Sequence, residues 1–114
     1  MEENEEVIES KNNEEVKKPW FEELVTGNWI CRTRDGDFEL SEIDGDKLKS
    51  VRKRCERTTR NGKVSTDMEL LKNVLISESL VERIPDRDLG KLKASTILKL
   101  ESAIVKLYGI TDFL

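Results

Sequence analysis

Apolar residues recur at helical spacing in three stretches of this chain. In "DGDKLKSVRKRCERT", Leu48, Val51 and Cys55 form a narrow apolar stripe with charge all around it, and Asp44 stands where an N-cap belongs. "STDMELLKNVLISESLVERIP" opens with Thr66-x-x-Glu69, a capping-box spacing directly before an apolar run. Its Leu70, Leu71, Val74, Leu75, Ile76, Leu80 and Val81 cover more than one helical side, which predicts the central, most buried helix, stopped by Pro85. "DRDLGKLK" reads as a short turn or a single helical turn. "ASTILKLESAIVKLYG" then predicts a closing helix with Ser95 as its cap, a stripe of Ile97, Leu100, Ile104 and Leu107, and Gly109 as its stop.

A different period governs "NWICRTRDGDFELSEI". Asp35-Gly36 is a favoured two-residue hairpin turn, and pairing outward from it sets Arg34 opposite Asp37, Thr33 opposite Phe38, Arg32 opposite Glu39 and Cys31 opposite Leu40. One face then holds Trp29, Cys31, Phe38 and Leu40, while the other matches arginine with carboxylate twice. An isolated hairpin is marginal in water, so this one, about residues 28–43, is expected to pack on helices. Upstream, "KKPWFEELV" places Pro19 in a first helical turn and predicts a short helix ending at Gly27, with Trp20, Phe21 and Leu24 free to dock. The expected fold is mainly α within the α+β class: a short N-terminal β-hairpin on a bundle of three to four helices.

Composition changes this picture at the N-terminus. Residues 1–18 hold seven Glu and three Lys, with only Met1, Val7, Ile8 and Val16 as apolar groups. Such a segment buries too little to offset its ordering entropy, so it reads as a disordered acidic tail ahead of one domain over residues 19–114. Charge is also blocked. Residues 1–46 sum to −10, residues 47–63 to +7 and residues 64–114 to −1, giving −4 overall. The basic block reads as the solvated side of an amphipathic helix, since no aromatic lies within it for base stacking and the sequence pI is near 5.0. The alternative is a nucleic-acid surface built on Arg52, Lys53, Arg54, Arg57 and Arg60.

Candidate chemistry is thin. There is no histidine, so no Ser-His or Cys-His nucleophile pair exists, and the many carboxylates mark out no catalytic pair. Cys31 and Cys55 read as buried thiols in a reducing compartment. Neither "DGD" fits a calcium loop, because the sixth and twelfth positions from Asp35 are Leu40 and Asp46, and the fifth from Asp44 is Leu48. No glycine-rich phosphate loop occurs. These readings point to a protein that is not an enzyme, with no catalytic residue, metal or cofactor. No apolar run approaches the ~18 residues that span a bilayer, and the N-terminus lacks a signal-peptide pattern, so a cytoplasmic protein is expected. Leu98, Val105, Tyr108, Ile110, Phe113 and Leu114 form an apolar excess near the C-terminus that either completes the core or meets a partner.

The order of parts resembles the small tail assembly chaperones of long-tailed phages and prophages, particularly the Bacillus-type prophage group. The resemblance covers roughly residues 28–110 and rests on "VRKRCERTTRNGK", "ESLVERIPDRDL" and "LKLESAIVKLYG". The long acidic leader and the "ITDFL" ending depart from that family's pattern. What the resemblance implies is a non-enzymatic role in virion assembly within the host cell cytoplasm. Such a chaperone binds and solubilises the tape-measure protein before the tail tube polymerises around it. The implied partners are the tape-measure protein, the tail-tube protein and a second copy of the chain, with neither nucleic acid nor membrane among them.

Overall fold

The structure is a computed structural model, and it describes residues 18–109. Its fold is α+β. Among the described residues it holds three α-helices, one 3₁₀ helix and two small antiparallel sheets. The acidic tail of residues 1–18 lies outside the described residues, except for the exposed Lys18.

The first sheet runs β1 (Phe21–Glu23), β2 (Trp29–Thr33), β3 (Gly36–Leu40), with β2 in the centre. The helix expected after Pro19 is therefore a strand. Phe21 lies opposite Cys31, and its ring stacks on Trp29 at 4.7 Å, with the tilted Trp20 ring 5.4 Å away. An aromatic run beside an open strand edge is better satisfied by completing that sheet than by two isolated helical turns.

The β2–β3 register also differs from expectation. Thr33 pairs with Gly36, Arg32 with Asp37, Cys31 with Phe38, Ile30 with Glu39 and Trp29 with Leu40. The turn is centred on Arg34-Asp35, with Gly36 after it at φ +114°, a value glycine adopts freely. The Thr33 hydroxyl accepts from Asp35 N–H at 3.1 Å and donates to Gly36 O at 2.7 Å, which fixes this turn one residue earlier. Every cross-strand partner moves by two, so each side chain keeps its face.

Helix α1 (Gly45–Arg54) starts at Asp44, whose carboxylate accepts from Lys47 N–H at 2.8 Å. It buries Val51 and leads to buried Cys55. A second, unforeseen sheet follows: β4 (Glu56–Thr58) and β5 (Val64–Thr66) form a hairpin arm in which every residue is exposed. Helix α2 (Met68–Ser79) is capped by Asp67, which accepts from Leu70 N–H at 3.1 Å, not by Thr66. Thr66 is committed to the arm's ladder opposite Glu56.

α2 ends at Ser79, well before Pro85, because the next residues join the first sheet. Leu80 bridges Leu40, Val81 N–H donates to Glu39 O at 2.9 Å and Ser41 N–H donates to Ser79 O at 2.7 Å. Val81 is accordingly half exposed, outside the helix. The 3₁₀ helix (Asp86–Lys91) turns the chain into α3 (Ala94–Tyr108), closed by Gly109 in the left-handed region at φ +68°.

α2 and α3 run parallel: Lys72 pairs with Glu101 at 3.2 Å and Ser79 with Tyr108 at 2.7 Å, the same separation of 29 residues. The main core joins Cys31 and Leu40 of the sheet to Leu75, Ile76, Leu100, Ala103 and Ile104 of the two helices. Each fully buried Leu or Ile stabilises the fold by roughly 1.5–3 kcal/mol. A smaller cluster holds Val51, Cys55, Leu71 and Val74, and Ile43 packs against both.

Candidate functional site

The basic block is divided by the fold. Lys47 and Arg54 leave α1 toward Glu78 on α2, at 3.2 and 3.5 Å, and Arg83 joins the same carboxylate at 2.9 Å. Arg54 also reaches Asp86 at 3.5 Å, and Arg57 pairs with Asp67 at 3.3 Å. Burial would raise the Glu78 carboxyl, but hydrogen bonds and charge from Lys47 and Arg83 outweigh it and hold the group below its ordinary range. Lys47, Arg54 and Arg57 thus fasten α1 and the arm to α2.

The other half of the block faces outward. Lys49, Arg52 and Lys53 are exposed and enter no ion pair among the described residues. They line a shallow groove of about 510 Å³ with Glu56 and Thr66. Arg60 sits exposed in the arm's loop. Of the nucleic-acid candidates, then, Arg52, Lys53 and Arg60 are free to meet a ligand, whereas Arg54 and Arg57 already hold carboxylates.

The apolar candidates on α3 fall on one side of that helix. Leu98, Glu101, Val105 and Tyr108 follow at helical spacing along the seam with α2. The seam is open at its start and closed at its end. Leu98 is 62% exposed; the parallel register sets it level with Glu69 on α2, one residue past Met68, which is 39% exposed. Between them and the closed end lies the Lys72–Glu101 pair; Val105 is half-buried. Tyr108 belongs to the fold itself: its hydroxyl accepts from Ile43 N–H at 3.0 Å and shares a hydrogen bond with Ser79 Oγ. Burial pushes that hydroxyl's pKa up, more than the Ser79 and Ile43 bonds take back. Ile110, Phe113 and Leu114 lie outside the described residues.

Sequence reading missed two residues here. Met68 was hidden by placing the cap at Thr66; a cap at Asp67 makes Met68 the first helical residue and sets it four before Lys72. Glu78 stands within "SES" with Arg83 five residues on as its one local cation, while Lys47 and Arg54 arrive from over 20 residues away.

Both cysteines are buried and free. Burial pushes the Cys31 thiol up to about 11 and raises Cys55 as well, so neither is a ready nucleophile. No protein-family model, curated protein or solved structure matches the chain.

Proposed function

We propose that the chain is a tail assembly chaperone of the long-tailed phage and prophage type, binding the tape-measure protein through the open end of the α2–α3 seam. Two things support the reading: the sequence resemblance over residues 28–110, and the exposure of both Leu98 and Met68 near the starts of two parallel helices. The second is the observation that carries it, because large apolar side chains left uncovered favour contact with another apolar helix face. The β2–β3 hairpin set against the helices serves as a platform holding α3. The acidic leader of residues 1–18 adds negative charge that keeps a complex in solution in the host cell cytoplasm. Tail-tube protein then releases the chaperone by covering the same tape-measure surface more favourably.

The test is co-expression with the tape-measure protein encoded beside this gene. The expected outcome is a soluble complex that co-purifies, and its loss in Leu98→Asp and Met68→Asp. Both side chains are exposed, so these variants are expected to stay folded, within about 0.5 kcal/mol of the parent. A tape-measure protein that is equally soluble with and without this chain would end the proposal.

A second reading, nucleic-acid binding, draws on the free half of the basic block. Lys49, Arg52 and Lys53 share one groove and enter no ion pair among the described residues. Retention on duplex DNA at about 150 mM salt, lost when Arg52, Lys53 and Arg60 become Ala, is the result that favours it.

A further inference from the structure

The first sheet ends at β3, and part of that strand's outer edge is unpaired. On β2, Arg32 N–H donates to Trp20 O and Asn28 O accepts from Leu24 N–H, so its even-numbered residues bond toward β1. Its odd-numbered residues then bond toward β3, at Gly36, Phe38 and Leu40 in the observed register. Asp37, Glu39 and Ser41 therefore turn their backbone groups outward. Glu39 O and Ser41 N–H are taken by Val81 and Ser79. Asp37 N–H, Asp37 C=O and Glu39 N–H have no partner among the described residues.

Beside this edge lies an open groove of about 640 Å³. Asp37, Glu39 and Glu82 line it, and none of the three has an ion pair among the described residues. Among the described residues the Glu39 carboxylate accepts only from the neutral amide of Asn28, at 2.7 Å. Arg83, the groove's cation, is spent on Glu78 at 2.9 Å. Val81, half exposed, supplies apolar surface, and Phe38 and Ile84 open the groove's inner side toward the main core.

We propose that this edge and groove bind an extended segment of a partner protein in which Lys or Arg alternates with small apolar residues. The unpaired backbone groups would add such a segment as a further strand beside β3. Because side chains of a strand alternate, residues opposite Asp37 and Glu39 lie on the acidic outer face and take positive charge. Their neighbours turn toward Phe38 and Ile84 and take apolar groups. An acidic segment is repelled at three carboxylates, and a helix cannot use the free backbone groups. The groove shares no residue with the Leu98–Met68 seam, so the two interactions succeed or fail separately.

The probe is a fluorescein-labelled Val-Lys-Val-Lys-Val-Lys peptide, titrated with the full chain and read by fluorescence anisotropy. Saturable binding is expected. A peptide with the same side chains but N-methylated backbone amides is expected to bind about tenfold more weakly, since each strand-addition bond it loses is of that order. Asp37→Lys and, separately, Glu82→Lys are each expected to weaken the parent peptide by a similar factor. Thermal denaturation shows whether either variant remains folded, and Glu82, exposed and outside any helix or strand, decides the matter if Asp37→Lys does not. Equal binding of the N-methylated peptide, or binding indifferent to Glu82→Lys, overturns the proposal. So does an Asp37-dependent dimer of the chain itself that excludes the peptide, because the occupant is then a second copy.

Discussion

Tyr108 shows how one side chain closes this fold. Its ring packs against the main core, and its hydroxyl meets Ile43 N–H at 3.0 Å and Ser79 Oγ at 2.7 Å, joining the loop before α1 to the ends of α2 and α3. Tyr108→Phe keeps the ring and strands both partners, so it is expected to cost about 1–3 kcal/mol in chemical denaturation. Glu78 carries the electrostatic counterpart. A carboxyl held below its ordinary value of 4.5 contributes stability that is complete above that value and is lost as pH falls through the lowered one. Glu78→Gln removes the charge while keeping the shape. At neutral pH it is expected to cost about 1–2 kcal/mol, below the range for wholly buried pairs because the three cations are half exposed. The gap in Tm between parent and variant should narrow as pH drops below 4.5. A gap unchanged down to pH about 3 would mean that the cations around Glu78 do no more than solvate it.

Among the elements, α3 depends on a residue far from it in sequence. Ser95 was the expected cap, yet the helix begins after Lys93, whose N–H donates to Asp35 Oδ2 at 2.8 Å across 58 residues. The Asp35 carboxyl is held below its ordinary range by the nearby Thr96 hydroxyl, which stands outside hydrogen-bond geometry and has no other partner among the described residues, and by that Lys93 N–H, whose bond is formed. The β2–β3 turn thus serves as the N-terminal cap of α3. Asp35→Ala is expected to lower Tm and to speed amide exchange over residues 94–97, whereas Asp35→Asn, which keeps an acceptor, should retain much of the protection. Equal exchange in both variants would show that the cap is dispensable. The same turn explains what was legible in the sequence. Alternation of Trp29, Cys31, Phe38 and Leu40 identified the inward face, because burial of a face tolerates a shift of two. The register itself was not legible, because Thr33 Oγ decides the turn through bonds that no hydrophobic pattern records. For α1 and α3, the stripes and the Asp44 and Gly109 ends were local and therefore visible.

At the scale of the whole molecule, the arm β4–β5 stands apart from the rest. The basic block was plain in the sequence, but its division was not, since Glu78, Asp86 and Asp67 are brought to it only by folding. Nor was the arm itself, whose strands bury no side chain and so carry no apolar period. Its base is a backbone pair, Asp67 N–H to Cys55 O at 2.8 Å, directly above the buried Cys55. Everything beyond that pair is exposed, which makes the arm separable in energy from the core. Replacing residues 56–66 by Asn-Gly removes the short ladder and the Arg57–Asp67 pair, a surface contact worth at most about 1 kcal/mol. It also shortens the loop that folding must close, and each halving of loop length returns only about 0.6 kcal/mol. These terms nearly offset, so the shortened chain is expected to unfold within about 1 kcal/mol of the parent. Differential scanning calorimetry measures this directly. If the arm exists to present Arg60 and Lys63 to a ligand, the same variant loses any retention on duplex DNA while still carrying tape-measure protein through the Leu98–Met68 seam. A shortened chain that unfolds well below the parent would instead make the arm part of the framework, with Arg57 and Asp67 as its fastening.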